Sequence, residues 1–298
     1  MAAEQDRPIA GIALVMLATL SFASADVVTK YLTEIYPVSV VMAVRYVLNV
    51  LLVAAFFLPR MGRGLIRTNR TLLVFVRSVS LAAASLTLGL ALRFMPVGET
   101  VAIIYLAPIL IMAIAVPLLG ERVVAGQWLW AIAAFAGVLL IVRPGAGLDP
   151  FGVVMALVNV GFAVTYHLLS RVLSPTESTA ALLFHSAWVG ALIFVVLGVG
   201  DLSGLSVTPH DFLMMLALGL LMSLGHFFFT SSYRFAPASI IAPANYMHLV
   251  WAGGLGLLVF GHLPTTLSLF GMLLVLFGGV AIAILAPRKP RRPIETAE

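Results

Sequence analysis

Four polar side chains fall on one face of an apolar stretch in the last third of the chain. Ser223, His226, Thr230 and Tyr233 are separated by steps of three, four and three residues, which stacks them into one stripe on a helix. A hydroxyl or imidazole facing lipid is costly, so such a stripe turns toward a neighbouring helix or a wet cavity. These groups can hold a polar ligand by hydrogen bonds, and histidine can also carry a proton. Other apolar stretches offer comparable sets: Asn159, Tyr166 and His167 in one, and Asn245 and His248 beside Pro243 and Tyr246 in another. Ser78 and Ser85 occupy the corresponding face of an earlier stretch, and Tyr105 stands at a position matching Tyr246. The candidate cavity wall is therefore Tyr105, His226, Thr230, Tyr246, Asn245, Ser85, Asn159, Tyr166 and His167. Plainer readings stand beside this one. His226 can bond across helices, Asn245 can cap backbone disrupted at Pro243, and the tyrosines can serve packing alone.

Two acids lie inside apolar stretches, Glu99 and Asp26, and are the candidates for any coupling to protons. Glu99 falls in the first turn of a predicted helix, where the dipole favours a carboxylate. Asp26 has Lys30 four residues on, the spacing of a helical ion pair. Arg45 and Arg77 also lie within stretches; each can snorkel, and Arg45 can meet an internal partner. There is no cysteine, which removes disulfides, thiol catalysis and Cys-ligated metals. No Ser-centred elbow, P-loop or His-Glu-x-x-His motif is present, so no catalytic residue, metal or cofactor is expected.

The elements that position these residues follow from composition. The 298 residues are 62% hydrophobic and only 10% charged, against about 25% charged in soluble domains. About 20 apolar residues cross a bilayer core. On that measure ten spans are predicted: 9–31, 38–58, 71–93, 97–119, 126–142, 150–171, 179–199, 211–234, 238–260 and 266–285. The first is too long for a signal-peptide core and is read as a retained helix. Very short links at Met95-Pro96 and Ala236-Pro237 make neighbours antiparallel, with proline in the first turn where its missing N–H costs nothing.

The chain also repeats itself at an offset of 141 residues. Arg93-Phe94-Met95-Pro96 recurs as Arg234-Phe235-Ala236-Pro237, Tyr105 as Tyr246, Gly137 as Gly278 and Gly11 as Gly152. If each half spans the bilayer five times, the halves are upside down relative to each other. Lys and Arg support this. With the N-terminus in the cytoplasm, cytoplasmic segments hold twelve, including Arg60, Arg63, Arg67, Arg70 and four in the C-terminal tail, while outer loops hold three. That is a positive-inside bias. The predicted fold is an all-α polytopic membrane protein of ten transmembrane helices in two inverted five-helix repeats, 8–144 and 149–285, with a basic tail, 286–298, and both termini cytoplasmic. Inverted repeats of this kind build alternating-access transporters with a site near the midplane. The basic clusters flank spans and are topology signals, so nucleic acid is not an expected partner.

Tyr105-Leu-Ala-Pro108, then Leu119-Gly-Glu-Arg122, then Trp130 to Gly145, resemble the end of an EamA-type repeat. So do Tyr246-Met-His-Leu-Val-Trp251, Val259-Phe-Gly-His-Leu-Pro264 and Gly271 to Gly279. Such repeats form ten-helix members of the drug/metabolite transporter superfamily, and the aromatic, Met-rich spans are similar to YddG-type exporters of aromatic amino acids. The resemblance implies a cavity lined by the first, third, fourth, sixth, eighth and ninth spans. His262 departs from it, standing where the second repeat usually carries Glu. The expectation is a monomeric bacterial inner-membrane exporter of small amphipathic metabolites, amino acids first, whose partners are a small-molecule substrate and the bilayer. A proton-driven exporter of cationic drugs is the competing transporter. A polytopic receptor or enzyme is the alternative of another class, favoured by large soluble loops or a catalytic cluster, which the sequence lacks.

Overall fold

The computed structural model describes residues 8–119, 123–143, 147–173, 175–201, 205–232, 235–236, 241 and 244–285. Among them the regular structure is helical. Lipid leaves backbone groups nowhere to bond but within the helix, so long apolar runs have no other stable form there. The helices are α1 (Pro8–Ile35), α2 (Val38–Met61), α3 (Thr71–Phe94), α4 (Val97–Ile104), α5 (Leu106–Leu119), α6 (Ala125–Val142), α7 (Pro150–Leu173), α8 (Thr179–Gly198), α9 (Pro209–Ser232), α10 (Met247–Phe260) and α11 (Thr266–Leu285). Nine described helical spans are long and apolar enough to cross a membrane, and Met247–Phe260 is a shorter apolar helix.

Starts and stops follow local chemistry. Pro37 and Pro96 precede α2 and α4, and Pro8, Pro150 and Pro209 open α1, α7 and α9, the places where proline forfeits no bond. Ser178 caps α8 by accepting from the Ala181 N–H at 3.2 Å. Gly261 ends α10 at φ 67°, its N–H returning to the Leu257 carbonyl; the left-handed backbone there suits glycine.

The fourth span is not one continuous helix. It breaks at Tyr105 into α4 and α5. Pro108 has no N–H to return to the Ile104 carbonyl, which weakens the ladder at this turn. The repeat-equivalent Tyr246 is likewise a turn residue, at the start of α10.

Contacts between the halves recur with the halves exchanged. The main packing pairs are α1 on α9, α3 on α7, α2 on α8 and α6 on α11; the offset of 141 converts the first of these into the second and maps the others onto themselves. Particular residues obey the same rule. A β-carbon on Gly11 would meet Ala236, and one on Gly152 would meet Met95. One on Gly137 would lie 2.6 Å from the Gly271 carbonyl, and one on Gly278 3.0 Å from the Trp130 carbonyl. Only glycine lets α6 and α11 approach so closely.

A third exchange pair staples opposite ends of the bundle. The Tyr36 hydroxyl, just past α1, donates to Asp211 at 2.7 Å. Its counterpart Glu177 accepts from the backbone N–H groups of Asn69 and Arg70 at 2.8–3.0 Å. Thr208 and Asp211 bond reciprocally at the head of α9, in the manner of a capping box. Donation to Asp211 raises the Tyr36 phenol above its ordinary value.

Candidate functional site

Two histidines reveal where the interior is open. On α7, His167 shares a stripe with Ala156, Val160 and Val164, all buried, yet His167 itself is exposed. On α9, His226 continues the stripe of Met215 and Gly219, both buried, and is also exposed. An accessible side chain on the inward face of a packed helix lines a cavity. Arg45 of α2 lies against Gly219 of the His226 stripe, and Arg77 of α3 bonds Tyr166 of α7, whose ring is 5.1 Å from that of His167, so α2 and α9, and α3 and α7, each bring polar groups together on these stripes. Thr230 lies on α9 too, but its side chain and all of Tyr233, Pro243 and Arg234 are outside the described residues.

Across Phe22 from His226 the two spans that turn at a tyrosine meet. The rings of Tyr105 and Tyr246 pack at 4.8 Å between centroids, tilted by 37°, within the range of favourable aromatic pairs. The Tyr105 hydroxyl donates to the Asn245 carbonyl at 2.8 Å. Tyr246 rests on Gly279 of α11, where a methyl group would collide with its ring. Phe22 of α1 joins the two levels: its ring is 5.1 Å from His226 and 6.2 Å from His248. Phe22 went unread in the sequence because an aromatic residue in an apolar helix carries no signal; its one clue was sharing a face with Asp26, four residues on.

The remaining candidates are bonded between helices. Asn159 is buried and its amide donates to the Ala84 carbonyl of α3 at 2.6 Å. Ser85 bonds the Tyr46 hydroxyl at 2.7 Å. The Tyr166 hydroxyl accepts from Arg77 at 3.0 Å. Arg77 does not snorkel; it is buried in the bundle.

The acids also differ from the local expectation. Asp26 does not pair with Lys30. Its carboxylate meets His248 Nε2 at 3.0 Å, while Lys30 Nζ pairs with Glu34 at 2.7 Å and donates to the Leu92 carbonyl. The unpaired carbonyls at the end of α3 attract the ammonium, and Asp26 turns inward, where the second half supplies an imidazole. Glu99 is buried in the first turn of α4 and contacts His262 Nε2 at 3.1 Å. Its second oxygen, Oε2, is buried without a partner. Both residues line a cavity of about 310 Å³ at this end of the bundle, with Lys30, Phe94, Phe260 and Pro264.

The arrangement suits reversible capture of a small molecule: aromatic walls, histidines and an arginine around an accessible interior. Among the described residues no group of three His, Asp or Glu side chains is placed to hold a metal.

Comparison with known proteins agrees with this geometry. The chain is similar to the pseudopaline exporter CntI of Pseudomonas aeruginosa, 23% identical over 275 residues, covering 92% of this chain and 95% of the relative. It is 24% identical to an S-adenosylmethionine uptake transporter of Rickettsia conorii over 268 residues, 89% of this chain and 90% of that one. It is 26% identical to a riboflavin transporter of Rhizobium johnstonii over 298 residues, 98% and 97% of the two chains. A solved crystal structure shares the fold at a TM-score of 0.66 and 18% identity, covering 95% of this chain and 99% of the other. The EamA-like transporter family matches twice, over residues 9–143 and 150–284, and the chain belongs to that family.

Proposed function

We propose that this transporter exports small amphipathic metabolites across the bacterial inner membrane, with aromatic and apolar amino acids as the first class, by alternating access around the cavity of His167 and His226. The observation that carries this reading is the exposure of those two histidines on inward stripes, with the stacked Tyr105 and Tyr246 across Phe22 from His226. Aromatic walls with a few convergent polar groups fit an amphipathic ligand. The named relatives handle pseudopaline, S-adenosylmethionine and riboflavin, all small metabolites, in both directions of transport.

Flux of a labelled amino-acid panel into and out of proteoliposomes tests the reading, with and without a pH gradient. Saturable flux of phenylalanine, tryptophan or leucine is the expected result; flux of none of them sinks the substrate class. A gradient that drives cationic drugs but no amino acid favours the drug exporter instead. If the gradient accelerates wild type but neither Glu99→Gln nor Asp26→Asn, those carboxylates carry the coupling.

The halves lie inverted, and both termini are cytoplasmic. What supports the inversion is the exchange pattern of contacts, which a two-fold axis generates, together with the odd number of spans read in each half. The basic residues support the orientation. Because the chain has no cysteine, single-cysteine probes need no background removal. Ser206→Cys should react with a membrane-impermeant maleimide in intact cells stripped of the outer membrane. Gly64→Cys, at an exposed site with nothing within 4 Å of its β-position, should react only after permeabilisation. The opposite labelling pattern refutes the orientation.

A further inference from the structure

We infer that Arg45 is the anion anchor of the central cavity, so that the transported molecule carries a carboxylate or an equivalently placed anionic group. This rests on the reading of that cavity as the substrate site and adds the charge that the substrate must bring.

Arg45 and Arg77 lie within membrane spans away from the span ends, and the structure treats them oppositely. Arg77 is buried and its guanidinium donates to Ser170 Oγ, the Leu182 carbonyl, Ser186 Oγ and the Tyr166 hydroxyl at 2.7–3.1 Å. Four of its five N–H donors are occupied. Arg45 is half-buried, on the α2 stripe of Val38, Val41 and Met42, all buried. Its position therefore faces the bundle and not the lipid. Among the described residues its side chain makes a long bond to Met42 Sδ at 3.4 Å and lies 5.1 Å from the Tyr46 ring. Neither is an anion.

No described carboxylate neutralises it. Within the spans, Asp26 is held by His248, Glu34 by Lys30, Glu99 by His262 and Asp211 by Tyr36 and Thr208. Asp149, Glu177 and Asp201 bond other groups at helix ends. An intramembrane arginine without an acid is expensive unless it faces water or a ligand. The Arg45 carbonyl lies 3.4 Å from where a β-carbon on Gly219 would stand, and Gly219 shares the α9 stripe of the exposed His226, which puts Arg45 beside the accessible interior. A guanidinium is a planar fork of five donors matched to the two oxygens of a carboxylate. Ser85 and Tyr46 bond each other nearby.

Phenylglyoxal modification, read by peptide mass spectrometry on the purified reconstituted protein, tests this without knowledge of the natural substrate. Arg45 should be modified and Arg77 should not, with the exposed loop arginines Arg63 and Arg67 as internal references. Excess 3-phenylpropanoate should slow modification of Arg45 at least fivefold, and the isosteric neutral 3-phenylpropanamide should not. No modification of Arg45, no protection, or equal protection by acid and amide would overturn the assignment. In flux assays Arg45→Gln should reduce transport of carboxylated substrates at least tenfold while Arg45→Lys retains part of it, both remaining monodisperse. Carboxylate transport by Arg45→Gln at the wild-type rate also overturns it. If wild type transports no amino acid, the amino-acid class fails and the protection experiment still decides the anion site.

Discussion

Replacing Arg77 by alanine is expected to destabilise the protein by about 2–5 kcal/mol, the cost typical of emptying a large buried site. The side chain ties α3 to α7 and α8 through four bonds to uncharged oxygens, and its guanidinium lies 4.4 Å over the Tyr166 ring. Inter-helix bonds in membranes average only about 0.6 kcal/mol each, so the four bonds together account for about 2.4 kcal/mol, the lower part of that range. The cavity left behind supplies the rest. An opposing term exists, because removing a buried cation also removes its desolvation cost. Ser170 and Ser186 donate their own hydrogens to the Tyr166 and Leu182 carbonyls, which leaves their lone pairs turned to Arg77. That arrangement solvates the cation before any ligand arrives, so the desolvation cost is already largely met. Arg77→Met refills the volume without the bonds and should recover about half of the loss. Arg77→Lys keeps the charge but cannot reach four acceptors at once. Thermal unfolding followed by tryptophan fluorescence ranks them wild type, Met, Ala. An alanine variant that unfolds at the wild-type temperature rules out the staple.

What the sequence made legible here was whatever depends on short range or on repetition. Hydropathy gave spans whose ends fall within a few residues of the described helices, because proline, glycine and charge mark the ends of apolar runs; the start read for the ninth span, 238, lies outside the described residues, and the described helix there begins at Met247. The offset of 141 residues put Tyr105 and Tyr246 at equivalent positions, and their rings pack together. The stripe on the eighth span gave His226, since a 3.6-residue period needs no tertiary information. Long-range pairing was hidden. Asp26 and Lys30 have ion-pair spacing, but the partner of Asp26 is His248, 222 positions away. The four acceptors around Arg77 come from two helices of the other half. The break at Tyr105 had one local sign, Pro108, which a count of apolar residues passes over.

Removing either stacked tyrosine is expected to cost at least tenfold in transport, or about 1.4 kcal/mol, while the protein stays monodisperse. The pair sits where both repeats interrupt a membrane helix, and an interrupted helix is where a membrane protein can expose backbone to a ligand cavity. Tyr105→Ala frees the Asn245 carbonyl as well as the ring contact; Tyr246→Ala loses the ring contact and the packing on Gly279. The phenylalanine variants separate ring from hydroxyl. Tyr105→Phe should be the more damaging of the two, because its hydroxyl closes the bond to Asn245, whereas Tyr246 packs through its ring. Gly279→Ala offers the same test without touching either tyrosine: the added methyl must push Tyr246 away, so its flux should fall as in Tyr246→Ala. His226→Ala belongs in the same series, since His226 contacts Phe22 on the accessible side. Trp128→Ala, on the exposed face of α6, is the control for a lipid-facing aromatic and should transport like wild type. Flux by these variants in proteoliposomes, beside size-exclusion profiles, decides between wall and ballast. If Tyr105→Ala, Tyr246→Ala and Gly279→Ala all transport normally, the stack is packing alone and the substrate passes elsewhere. If they lose flux only together with monodispersity, the pair holds the fold and does not shape the path.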